Sequence, residues 1–250
     1  MSDAHFTYVL RLGDNALVLG QRLSEWCGHS PFLEEDIAMA NTALDLIGRA
    51  RMLYNHAGRL EGRGRDEDAL AYLRDEREFG NFLMCELPNG DYGFTLVRQY
   101  LLDVYHRHLY AALTESRDDE LAAIAAKAVK EAAYHARRSG DWVLRLGDGT
   151  AESNARCQAA LDELWGYTAE LFTPDAVDSA MLEAGVAPDL ATLRTRWEVD
   201  VLARLAEAGL TVPADDWQAE GGRAGRHTEH MGRLLAELQF VQRAYPGQQW

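Results

Sequence analysis

The chain has 250 residues, of which 47% are hydrophobic, enough to bury a large core as one big domain or two small ones. Its formal charge of −15, with Lys127 and Lys130 as the only lysines, argues against nucleic acid or an anionic membrane surface as the main partner. Three cysteines (Cys27, Cys85, Cys157) lie far apart without CxxC spacing, so neither a disulfide framework nor a zinc site is expected. No apolar run reaches the roughly 18 residues that span a bilayer, and the start Met1-Ser-Asp-Ala-His-Phe lacks the basic and apolar regions of a signal peptide, so a cytoplasmic protein is expected.

Tyr8 to Cys27 reads as a first helix, with Leu12, Ala16, Leu19, Leu23 and Trp26 on one face and Gly28 as its stop. Pro31 opens a second helix that runs to about His56. In it Ile37, Ala40, Asn41, Leu44, Asp45 and Gly48 follow at helical spacing, which predicts that this stripe faces the core and that Asp45 needs an answering partner. Gly58 to Gly64 reads as a polar turn, and Asp66 caps a third helix, Glu67 to Glu86, anchored by Leu70, Leu73 and Phe79. Leu87-Pro-Asn-Gly-Asp-Tyr-Gly breaks the chain before a fourth helix, Phe94 to Thr114.

Arg117-Asp-Asp leads into a fifth helix, Glu120 to Leu146, stopped by Gly147-Asp-Gly-Thr. A sixth (Cys157 to Phe172), a short seventh capped by Thr173-Pro-Asp and ending at Glu183, and an eighth (Leu190 to Ala208) follow. Leu210 to Arg226 reads as a long loop and Glu229 to Arg243 as the last helix. Helices joined by short loops describe a bundle. The expected fold is all-α, one domain over 1–250, with a core bundle at about 7–146 and additional C-terminal helices at about 151–250.

A bundle that holds two metals needs one Glu from each of two helices and a Glu-x-x-His from each of the other two, because three-residue spacing points both ligands at one metal. The chain approaches that pattern. The first helix offers Glu25. The second offers Asp45 with Gly48 at the histidine position. The fourth carries Asp103-Val-Tyr-His106, and the fifth carries Glu131 and His135 with Ala132 three residues before the histidine.

Read strictly, with ligand pairs on the second and fifth helices, one histidine and one carboxylate are missing, at Gly48 and Ala132. Read loosely, Glu25, Asp45, Asp103, His106, Glu131 and His135 leave six ligands and a metal centre. The plainer readings are a buried Asp45 held by an arginine or a backbone donor, hydrogen-bonded His106 and His108, and a solvated row Lys127, Glu131, His135. His227-Thr-Glu-His230 sits at a helix start, where Thr and Glu are capping residues. Gly221-Gly-Arg-Ala-Gly-Arg226 before it could cradle an anion on backbone N–H groups but lacks the GK[ST] ending of a nucleotide loop.

Long strings carry a resemblance that runs nearly end to end. They include Gln21-Arg-Leu-Ser-Glu-Trp-Cys-Gly-His, Asp45-Leu-Ile-Gly-Arg-Ala-Arg, Leu73-Arg-Asp-Glu-Arg, Lys127-Ala-Val-Lys-Glu-Ala-Ala-Tyr-His, His227-Thr-Glu-His-Met-Gly and Pro246-Gly-Gln-Gln-Trp. In these the chain resembles the non-catalytic C subunits of the bacterial phenylacetyl-CoA epoxidase (ring 1,2-epoxidase), a multicomponent monooxygenase of phenylacetate degradation. The resemblance implies a ferritin-like bundle and agrees with the strict reading, in which Gly48 and Ala132 stand where a catalytic relative has ligands.

It further implies a structural role, without catalytic residues, metal or cofactor in this chain. The iron and the acyl-CoA would lie in a homologous di-iron A subunit. Small accessory subunits, and a reductase with flavin and an iron-sulfur group, would complete the complex, and the isolated chain could form a homo-oligomer. The alternatives are a self-sufficient di-iron carboxylate oxygenase using the six loose ligands, and a metal-free acyl-CoA module whose Arg49, Arg51 and Arg226 meet phosphates.

Overall fold

The structure is a computed structural model that describes residues 3–214 and 217–248; the last two residues of the Pro246-Gly-Gln-Gln-Trp string lie outside them. The described residues form ten α-helices and no strand: α1 (Asp3–Ser24), α2 (Leu33–Glu61), α3 (Glu67–Tyr72), α4 (Leu83–Glu86), α5 (Tyr92–Leu113), α6 (Asp119–Gly147), α7 (Ala151–Leu164), α8 (Ala176–Glu183), α9 (Leu190–Glu207) and α10 (Glu229–Ala244). The chain is all-α, of the ferritin-like helical-bundle class. No helix among the described residues is long and apolar enough to cross a membrane. Two compact units emerge, Met1–Pro88 with Gly221–Trp250, and Asn89–Glu220.

In the first unit α1 and α2 pack antiparallel, since Gly13 meets Tyr54 while Gly20 meets Ala43. A Cβ on Gly13 would stand 2.6 Å from the Tyr54 ring, so only glycine lets the helices approach there. Leu12, Ala16, Leu19 and Leu23 are buried as the periodicity predicts, each large aliphatic side chain contributing about 1.5–3 kcal/mol. The second helix continues past His56 to Glu61, because Gly58 is a packing glycine: a Cβ there would lie 2.2 Å from the Arg65 carbonyl oxygen. The left-handed residue that ends α2 is Gly62, at φ 70°.

Which side of α2 is buried differs from expectation. Met39, Thr42, Ala43, Leu46, Ala50, Leu53 and Tyr54 are buried, whereas Ile37 and Leu44 are 53% and 64% exposed. The helix carries two apolar stripes, and periodicity cannot choose between them. The expected third helix is also broken. It stops at Tyr72, tightens into a 3₁₀ turn at Glu76–Glu78 and resumes only as α4. Leu73, an expected anchor, is 60% exposed, while Leu70 and Phe79 are buried.

In the second unit α5 and α6 are antiparallel, with Tyr92 edge-on to Trp142 and Asp103 opposite Ser139. Asp91 accepts the Phe94 N–H and Asp118 those of Glu120 and Leu121, capping both helices. The buried face of α6 includes Leu121, Ile124, Ala128, Ala132, His135, Ser139 and Val143. Along the row Lys127, Glu131, His135, exposure gives way to burial, so that row is oblique to the core. The expected sixth helix begins earlier, at Ala151 behind the Thr150 cap, and becomes 3₁₀ from Trp165. An aromatic cluster of Tyr105, Trp165, Phe172 and Trp197 joins this turn and α9 to α5, and the Trp197 indole N–H donates to the Leu101 carbonyl at 2.8 Å.

Candidate functional site

The sequence-selected donors of the second unit lie on α5 and α6. Asp103 is buried, and its carboxyl accepts the Gln99 Nε2–H at 2.7 Å and meets Ser139 Oγ at 2.9 Å. Burial pushes this carboxyl above the usual range, with His135, Ser139 and Gln99 acting against the shift. Ser139 Oγ also stands 2.9 Å from the His135 carbonyl oxygen. The Ser139 hydroxyl thus lies between the Asp103 carboxyl and the α6 backbone and ties the two helices together.

His135 is buried with its ring against Tyr134, and one turn earlier the buried methyl of Ala132 offers no donor. His106 is buried against Tyr105 and Tyr110, at ring separations of 5.8 and 5.9 Å. Glu131 is half-buried. His108 does not join the other histidines: its Nε2 is 2.6 Å from Asp200 of α9, and burial holds its pKa below the ordinary value.

In the first unit Glu25 lies past the end of α1, 42% exposed in its side chain, and pairs with Arg22 at 2.7 Å. Asp45 is half-buried on α2, and a Cβ built at Gly48 would meet no atom within 4 Å. The fully buried acids here are two that sequence reasoning missed. Asp14 accepts from the Arg74 guanidinium (Nη1 to Oδ2 3.1 Å), from the Tyr54 hydroxyl at 2.7 Å and from the Gly80 N–H at 2.8 Å.

Although burial alone would lower it, the Asp14 charge keeps the Arg74 pKa above its ordinary value. Burial and the same carboxylate push the Tyr54 phenol up. The Arg74 guanidinium also lies over the Phe79 ring, 4.0 Å from its centroid. The second missed acid is Glu86, 0% exposed, which meets Asn81, His227 and the Thr228 N–H. An acid inside an apolar helical run was the available signal at Asp14, the same signal read at Asp45.

The glycine loop is not an open anion cradle. Its Ala224, Gly225 and Arg226 N–H groups close on the Gly221 and Gly222 carbonyls, and Gly225 fits against the Arg77 backbone, where a Cβ would lie 2.3 Å from oxygen. Of the arginines considered for phosphates, Arg49 is buried and Arg51 is tied to Glu67 at 3.0 Å, while Arg226 packs on Gly221.

These helices define an all-α bundle whose strongest internal chemistry is a set of buried acids held by arginine, histidine, serine and amide partners. The chain belongs to the phenylacetic acid catabolic protein family, whose model matches residues 1–250. It is 54% identical over 243 residues, 97% of this chain and 98% of the relative, to the C subunit of 1,2-phenylacetyl-CoA epoxidase from Escherichia coli (strain K12).

Proposed function

We propose that the chain is a structural, non-catalytic member of a phenylacetyl-CoA epoxidase complex acting in phenylacetate degradation in the cytoplasm. In that complex the aromatic ring takes one atom of O₂ as an epoxide, and the other leaves as water after two-electron reduction from NAD(P)H. The reaction takes place in a homologous di-iron A subunit, and small accessory and reductase subunits, the latter with flavin and an iron-sulfur group, complete the assembly. The chain itself holds no cofactor in this reading and stabilises the catalytic partner.

The observation that carries the reading is the state of the donor positions. Asp103 is engaged by Gln99 and Ser139, α6 offers the Ala132 methyl, and Glu25 is exposed in a pair with Arg22. Donors engaged in this way suit iron poorly, because each ligand must be free to coordinate. The near full-length similarity to an epoxidase C subunit supports the same reading, and so does the exposed apolar stripe of α2. An obligate interface of this kind buries about 2,000 Å² or more.

The test is turnover of the reconstituted complex. His106→Ala and His135→Ala are expected to leave the epoxidation rate within about threefold of wild type, since each removes packing and no ligand. Loss of turnover with assembly intact in either variant would favour the self-sufficient oxygenase instead.

A further inference from the structure

The string His227-Thr-Glu-His230 is unused by the reading above, yet its first residue sits in a closed polar site. His227 Nδ1 is 2.8 Å from Glu86 Oε2 and Nε2 is 3.0 Å from the Phe79 carbonyl oxygen, and both partner side chains of the pair are 0% exposed. A carbonyl oxygen has no proton to give. Glu86 already accepts the Thr228 N–H on Oε1 at 2.6 Å and the Asn81 amide on Oε2 at 3.0 Å, so the oxygen facing His227 is an acceptor in its other bond as well. Both ring nitrogens therefore face acceptors, and only a doubly protonated imidazole satisfies both.

The elements joined are distant in sequence. Glu86 belongs to α4 and Phe79 to the segment after the 3₁₀ turn, while Thr228 is the N-cap of α10. Arg22 of α1 reinforces the junction, donating Nε–H to the Glu86 carbonyl at 2.9 Å and Nη2–H to the His230 carbonyl at 3.4 Å. The far end of α10 is held separately, by Gln239 and Arg243 on the Ala71, Tyr72 and Arg74 carbonyls.

We propose that His227 is a proton-dependent clasp: as an imidazolium it fixes the N-terminal end of α10 on the 79–86 segment, and that end opens when the ring gives its proton to solvent. The charged groups acting on it are Glu86 of α4 and Glu76 of the 3₁₀ turn; at the same junction Arg22, paired with Glu25, binds the Glu86 and His230 carbonyls, and Glu229 stands beside His230 in the first turn of α10. Burial alone would lower the ring's affinity for the proton, but the Glu86 hydrogen bond and charge, the Phe79 carbonyl and Glu76 outweigh it, so the pKa is held above the ordinary histidine value. A folded-state pKa above the unfolded one gives stabilisation that is complete below the unfolded value and lost as pH rises through the folded value. Acid thus closes the clasp and base opens it.

The test uses the full chain, with nitrogen-15 NMR of the histidine rings and hydrogen exchange of the α10 amides between about pH 6 and pH 9. His227 is expected to show the doubly protonated pattern at the acid end. Exchange of residues 229–235, corrected for its intrinsic pH dependence and set against α6, is expected to accelerate about tenfold or more as the ring deprotonates. In His227→Gln these amides exchange fast at every pH. Where that variant fails to fold, Glu86→Gln is expected to move the ring's titration downward. A neutral His227 tautomer at the acid end, or α10 protection that ignores the ring's titration, would overturn the proposal.

Discussion

Replacing Asp14 with alanine is expected to destabilise the chain by about 3–5 kcal/mol, because it leaves the Arg74 guanidinium buried without its counter-charge. Arg74 is 2% exposed, and besides Asp14 it has the Leu70 and Glu78 carbonyls as acceptors, at 2.5 and 2.8 Å. Those neutral acceptors position the side chain but cannot neutralise it. Tyr54 and the Gly80 N–H lose their acceptor in the same change. Arg74→Met strands the carboxylate instead and is expected to cost a similar amount.

The double variant Asp14→Leu, Arg74→Met removes both charges and is expected to recover most of the loss, since apolar replacement of a whole buried pair is often neutral. Denaturant unfolding followed by helical circular dichroism measures all three. A single variant within about 1 kcal/mol of wild type would mean that the Asp14 cluster contributes little beyond a surface pair.

Leu44→Asp is expected to abolish co-purification with the proposed catalytic partner, and Ile37→Asp to weaken it strongly, while isolated stability changes little. Both side chains are more than half exposed on α2, so a carboxylate there meets water in the free chain. In a packed interface it would be a buried unpaired charge, and central apolar anchors commonly carry about 2 kcal/mol or more each, roughly thirtyfold or more in affinity. Pull-down from cells expressing both chains, with thermal melts of the free variants, separates loss of binding from loss of fold. Undiminished recovery of the complex with both substitutions would move the interface elsewhere.

Helix content was legible where caps and periodicity agreed. On α6, Asp118 caps the start and Leu121, Ile124, Ala128 and Ala132 recur on one face, so the expected span misses the observed one by a residue at each end. The 67–86 stretch misled because Leu70 and Phe79 suggest one helix, whereas Arg74 and Gly80 must turn back to Asp14, a tertiary demand invisible to local propensity. The α2 stripe misled because an exposed apolar face and a core face look alike in one chain.

Site residues were legible as types and less so as roles. Asp103 and His135 are buried in the same α5–α6 pair, as residue type and spacing suggest. On the first helix the sequence singled out Glu25 as a donor, whereas the fully buried acid is Asp14, whose Arg74 partner lies 60 residues away. The Glu86–His227 pair spans 141 residues, beyond any spacing rule.

Metal analysis of the isolated chain, purified after growth with ample iron, bears most directly on its proposed role as a scaffold. The account predicts iron far below one atom per chain and no oxygen-dependent turnover of phenylacetyl-CoA until the catalytic partner is added. Close to two irons per chain, with turnover in the absence of any other ferritin-like subunit, would contradict it.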